Sequence, residues 1–83
     1  MDIEQIGLSL AKVAGVSEVH DLHVWPIAAE RLAISAHVRV ENIADWARIL
    51  DDLTAVAGKL DINHVTFQPE NVAPAQPITL VRK

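Results

Sequence analysis

Apolar residues recur along this chain at two different periods. Ile3, Ile6, Leu10 and Val13 fall at helical spacing, so they share one face of a helix predicted over residues 2–14. Asp2 is placed to cap that helix, with Gln5 three positions on as a reciprocal partner, and Gly15 is placed to stop it. The period then drops to two. Residues 17–25 read as a strand, closed by Pro26, which has no N–H to give to a ladder. A loop through Ala28–Glu30 follows. Leu32, Ile34, Ala36, Val38 and Val40 alternate strictly with Ala33, Ser35, His37 and Arg39, the clearest strand in the sequence. Asn42 is a helix cap, with Asp45 in a first turn where the dipole favours negative charge. Ile43, Trp46, Leu50, Leu53 and Ala57 form the apolar stripe of this second helix, and Gly58 sits at its end. Residues 62–68 alternate again, with Val65 and Phe67 to one side and His64, Thr66 and Gln68 to the other.

The order helix, strand, strand, helix, strand constrains the topology. The first two strands make an antiparallel hairpin. The third returns through a helical crossover, so it lies parallel to the second, and the strand bearing His37 takes the middle. Both helices then cover one face of the sheet. The fold class is α+β: an open sandwich, ferredoxin-like in its αββαβ order, with a three-stranded mixed sheet and its second face uncovered. Residues 1–72 are expected to form the domain. Residues 73–83, rich in proline before Ile78-Thr79-Leu80-Val81, are expected to be a flexible tail.

Composition narrows what such a domain can do. At 83 residues the chain makes one small domain, with 51% hydrophobic residues to fill its core. It has no cysteine, which removes disulfides, thiolate zinc sites and a cysteine nucleophile. A net charge of −4 argues against nucleic-acid binding and mildly favours attraction of cations. No apolar run approaches the length of about 20 residues that a membrane-spanning helix needs.

The four histidines stand out against this background, because all lie on or beside predicted strands: His20, His23, His37 and His64. Imidazoles gathered from neighbouring strands are most often gathered by a metal ion. With Leu22, Val24, Ile34, Ala36, Val38, Val65 and Phe67 buried, the open face carries Asp21, His23, Trp25, Ser35, His37, Arg39, His64, Thr66 and Gln68. His20 then falls on the wrong side. A bulge near Asp21 would bring His20 onto the face of His37 while leaving Leu22 and Val24 buried, and that is the expected arrangement.

Three segments carry a resemblance. They are residues 15–25 (GVSEVHDLHVW), 34–38 (ISAHV) and 62–70 (INHVTFQPE). Together they resemble the cytoplasmic C-terminal domain of cation diffusion facilitator transporters, the zinc, cobalt and cadmium efflux family. The resemblance implies a regulatory domain that binds divalent metal ions and forms a homodimer. Its place would be on the cytoplasmic side of the cell membrane, beneath a transmembrane portion that this chain does not contain. Carried over residue by residue, the metal positions fall on His20, His37 and Glu70. His64, His23 and Asp21 are the further candidates, for a second site or a dimer contact. Asn63 stands where many relatives have a second histidine, and Pro69 where a larger apolar residue is common. Nitrogen and oxygen donors without sulfur suit zinc, and also cobalt, cadmium, nickel or copper. Few glycines and a shallow sheet face give no sign of an enzyme. The alternative reading is a small-molecule-binding or purely dimerising regulatory module on the same fold.

Overall fold

The structure, a computed structural model, describes residues 2–71. The expected tail, residues 73–83, lies outside the described residues. The chain folds as α1 (Ile3–Ala11), β1 (Val16–Ala28), β2 (Arg31–Val40), a 3-10 turn (Ile43–Asp45), α2 (Trp46–Lys59) and β3 (Ile62–Asn71). The sheet order is β1-β2-β3, antiparallel between β1 and β2 and parallel between β2 and β3. The α+β open sandwich read from periodicity is therefore the fold observed. No helix among the described residues is long and apolar enough to cross a membrane.

The core lies between the sheet and the two helices. Ile34, Ala36, Val38 and Val40 of β2 meet Ile6 and Leu10 of α1, Ile49, Leu53 and Ala57 of α2, and Ile62 and Phe67 of β3. Leu22, Val24 and Val65 are half-buried and pack against this cluster, as the alternation of their strands requires.

Several boundaries differ from the expected ones, each for a local reason. Helix α1 stops at Ala11, short of residue 14. Asp2 caps it by accepting the Glu4 N–H at 3.0 Å, and Gly15 serves the turn before β1 at φ +93°. Asn42 caps a 3-10 turn first, accepting the Ala44 N–H at 3.0 Å. That tighter turn changes the phase of the helix behind it. The core face of α2 consequently takes in Ile49, which the expected stripe omits. Leu50 and Trp46 are half-buried, while Ile43 is left 44% exposed. Strand β1 continues through Pro26 to Ala28, and β3 through Pro69 to Asn71. Both are edge strands, which have one side free of partners, so a proline there need not break a ladder bond. The extension of β3 matters most, because it carries Glu70 onto the sheet.

The bulge is present. His20 pairs with His37 and His23 with Ser35, so β1 uses three residues where β2 uses two. The added residue is absorbed at Asp21, whose φ of +52° is the left-handed conformation that aspartate tolerates better than most side chains. His20 and His23 therefore share the open face.

Two glycines test this account of the backbone with opposite signs. A Cβ at Gly15 would stand 2.9 Å from Cδ1 of the fully buried Ile49 and would also strain a positive φ. Gly15→Ala should cost about 2–3 kcal/mol in urea unfolding. At Gly58, inside α2, an added Cβ meets nothing closer than 4.0 Å. Gly58→Ala should stabilise by about 0.5–1 kcal/mol in the same assay.

Candidate metal centre

The open face is ordered as rows of cross-strand neighbours. His20, His37 and Gln68 form one row. On one side of it lies the row of Glu18, Arg39 and Glu70; on the other, that of His23, Ser35 and Thr66. Trp25, Ala33 and His64 come next. Each row takes one residue from each strand, so a site on this face draws on all three.

Glu70 reaches across its row boundary and bridges the two imidazoles. The His20 Nε2–H donates to Oε1 at 2.7 Å, and the His37 Nδ1–H donates to Oε2 at 2.8 Å. The rings stand nearly edge to face, with centroids 5.2 Å apart. One nitrogen from each ring and one carboxylate oxygen lie within 4.8 Å of one another. The side chains are about one-third exposed, at 32% for His20, 36% for His37 and 30% for Glu70, so an ion could enter from solvent. Asp21 sits at the rim, with Oδ2 at 3.5 Å from His20 Nδ1 and 3.7 Å from His37 Nδ1. Arg39 closes the other side. Its Nη1 pairs with Glu18 Oε1 at 3.0 Å, and its Nε lies 3.7 Å from Glu70 Oε1.

This arrangement fits a divalent transition metal. Two imidazole nitrogens and a carboxylate are a common donor set for zinc, and three protein donors leave a position for water or a further group. Donors on one tetrahedral zinc stand about 3.3 Å apart, given bonds of about 2.0–2.1 Å. The present contacts are shorter because protons occupy the space between the donors.

The charges are mutually supporting. The hydrogen bond that His20 donates to Glu70, opposed in part by desolvation, raises the His20 pKa above its ordinary 6.5. The two imidazoles hold the Glu70 carboxyl below its ordinary 4.5.

Of the six candidate residues, the structure brings His20, His37 and Glu70 together and leaves Asp21 at their edge. His23 faces a hollow of about 270 Å³, lined also by Asp21, Ser35, Ala36, His37, Thr66 and Gln68. His64 stands apart, beside a cavity of about 30 Å³ near Asp61 and Glu30. The sequence reading had no place for the Glu18–Arg39 pair. Its signal was available: opposite charges fall opposite each other once the hairpin register is drawn.

Comparison with known proteins bears on the family and the fold. Residues 1–72 match the family described as "Cation efflux protein, cytoplasmic domain". That is a family of transporter domains and not of enzymes. The proton-coupled zinc antiporter SLC30A1 of Rattus norvegicus is 36% identical over 70 residues, which cover 84% of this chain and 14% of that protein. Metal tolerance protein B of Arabidopsis thaliana is 36% identical over 72 residues, covering 86% of this chain and 19% of that protein. The chain thus spans under a fifth of the length of either relative. Among solved structures, the metal-bound C-terminal domain of the CzcD transporter from Cuprividus metallidurans superposes with a TM-score of 0.75 at 29% identity. It covers 84% of this chain and 99% of that one. A variant of the MamM C-terminal domain superposes with a TM-score of 0.71 at 19% identity, a likeness of fold alone.

The pKa shifts give the metal-free domain a defined pH response. His20, with a raised folded pKa, contributes stability that is complete below pH 6.5 and is lost as pH rises through the folded value. Glu70, with a lowered one, contributes stability present above pH 4.5 and lost as pH falls through the folded value. Wild type should therefore exceed Glu70→Gln in melting temperature by the widest margin between pH 4.5 and 6.5, and the margin should narrow toward pH 8. Melts in chelator across that range check the sign, and an NMR titration of His20 in the variant should move back toward 6.5.

Proposed function

This chain belongs to the cation efflux protein cytoplasmic-domain family, and we propose that it is the metal-binding, dimerising regulatory domain of a divalent-cation, zinc-type efflux transporter. Its ion is held by His20, His37 and Glu70. The observation that carries this reading is the convergence of three ligand atoms, one from each strand, within 4.8 Å. The neighbouring hollow, at about 270 Å³, falls just under the usual range for small-molecule pockets, which favours an ion over an organic ligand. Zinc is the metal favoured by the donor set and by the relatives described as zinc antiporters.

Binding exchanges protons for the ion. A ring nitrogen that holds an ion must carry no hydrogen, so His20 Nε2 and His37 Nδ1, which now donate to Glu70, would give that hydrogen up, to solvent from a charged ring and to the other ring nitrogen in a neutral one. The bound ion supplies positive charge that the carboxylate and imidazoles share. The raised His20 pKa makes the proton a stronger competitor, so affinity falls as pH drops through the His20 value. In zinc calorimetry at pH 7.4, His37→Ala should weaken binding by roughly a hundredfold, since it removes one of three donors. Undiminished uptake by the combined His20→Ala and His37→Ala variant would falsify the assignment.

Dimerisation follows from the surface left uncovered. Trp25 is 42% exposed and Ile27 44% exposed near the hairpin end of β1. A second copy related by a two-fold axis is the commonest cover for such a surface. Two such chains each carry a charge of −4, and a cation on the open face would relieve their repulsion. Metal shifts the pair toward whichever arrangement binds it more tightly. In the transporter, that arrangement communicates cytoplasmic metal to the transmembrane portion. Paired spin labels should report a shorter, narrower inter-protomer distance with zinc, with no change in circular dichroism. An unchanged distance distribution would leave the domain a passive dimeriser.

A further inference from the structure

Arg39 occupies an odd place for a residue beside a cation site. It is the central member of the row Glu18, Arg39, Glu70, immediately next to the row that carries His20 and His37. Its guanidinium is shared unequally. The contact to Glu18 Oε1 is 3.0 Å, while the nearest approach to Glu70 is 3.7 Å, at the same Oε1 that accepts from His20 at 2.7 Å. We propose that the Glu18–Arg39 pair sets the affinity of the metal centre: Arg39 opposes the incoming dication with a fixed charge, and Glu18 holds Arg39 away from the Glu70 oxygen that the ion needs. This inference rests on His20, His37 and Glu70 being the ligands.

Guanidinium cannot give up its charge by deprotonation, so its repulsion of the ion is permanent. At separations of roughly 6–8 Å through water, a dication and a unit charge repel enough to change a binding constant about five- to tenfold. Arg39 is not what fixes Glu70, because two imidazole N–H groups already do so at 2.7 and 2.8 Å. Losing Arg39 therefore removes repulsion without releasing the carboxylate. Glu18 acts in the other direction. With Glu18 neutralised, the guanidinium keeps Glu70 as a partner within 4 Å, and arginine forms close two-pronged pairs with carboxylates. Such a pair would tie up the oxygen that must turn to the metal. Glu18 and Arg39 side chains are each half exposed, so neither substitution threatens the core.

The two residues make a thermodynamic cycle with zinc as the probe, measured by calorimetry at low salt, where surface charges are least screened. Arg39→Gln should tighten zinc binding about five- to tenfold. The gain should shrink in molar salt. Arg39→Lys, which keeps the charge, should stay within about twofold of wild type. Glu18→Gln should weaken binding more than about tenfold when Arg39 is present, and only about fourfold, its own bare charge effect, when Arg39 is already Gln. Unchanged or weaker binding by Arg39→Gln overturns the inference. So does a cycle whose effects simply add, or an Arg39→Lys variant that tightens as much as Arg39→Gln. His37→Ala run alongside separates the two levels: if it binds zinc as tightly as wild type, the ligand assignment itself fails, whatever Arg39 does.

Discussion

The core and the chemistry of this domain require opposite phases of the same strand. Side chains on a strand alternate between faces, so Leu22 and Val24 can be buried only if His20 is buried with them, unless the alternation is broken between them. It is broken at Asp21. One residue in the left-handed conformation adds a position to β1 and restores His20 to the face of His37. Any residue with a Cβ resists this backbone, and aspartate resists it less than most. The cost is local, and the return is a site assembled from all three strands without a polar group entering the core. Indeed no polar or charged residue among those described is buried.

What the bulge brings together, a hydrogen-bonded carboxylate keeps together. Without an ion, two imidazoles and an acid crowded on one surface could rotate apart, each solvated separately. Here Glu70 accepts from both rings, so the three donors share one geometry before any metal arrives. A prearranged site loses less conformational freedom on binding, which favours affinity. Under the proposed assignment the same bonds would compete with an ion, because they place hydrogens on the candidate ligand nitrogens, and pH would move the balance between the two.

How much of this was legible beforehand depended on how local its cause was. In β2 the inward set Ile34, Ala36, Val38 and Val40 and the position of His37 followed directly from residues 32–40, but Ala33, on the face of His37, is buried as well and Leu32 is only half-buried. The bulge was legible only by conflict: the apolar pattern and the histidines could not both be satisfied without it. Glu70 was reached through resemblance to a family, because a proline at position 69 reads as the end of a strand. It is tolerated here because β3 has a free edge, a fact of sheet order that no short stretch of sequence contains. The phase of α2 was lost for a similar reason. A 3-10 turn and an α-helix carry the same apolar residues, and the switch at Trp46 displaces the buried face toward Ile49. The Glu18–Arg39 pair was missed because a single strand shows only one member of any cross-strand contact.

The separation of the two faces would let one small domain gain and lose an ion at the candidate centre without folding and unfolding. In small metal domains whose ligands are the core, removal of the metal removes the fold. Here the cluster around Ile34, Leu53 and Ile62 is complete on the helical side of the sheet, and the candidate ligands lie on the other. An ion bound there would add stability by mass action without being its source. The free energy of binding is consequently available for other work on the same face: neutralising charge, fixing side chains, and favouring one arrangement of neighbouring surfaces over another. A domain whose fold depended on the ion would report the metal by being present or absent. One whose fold is independent of it can report the metal continuously, through a face that stays in place while its charge changes.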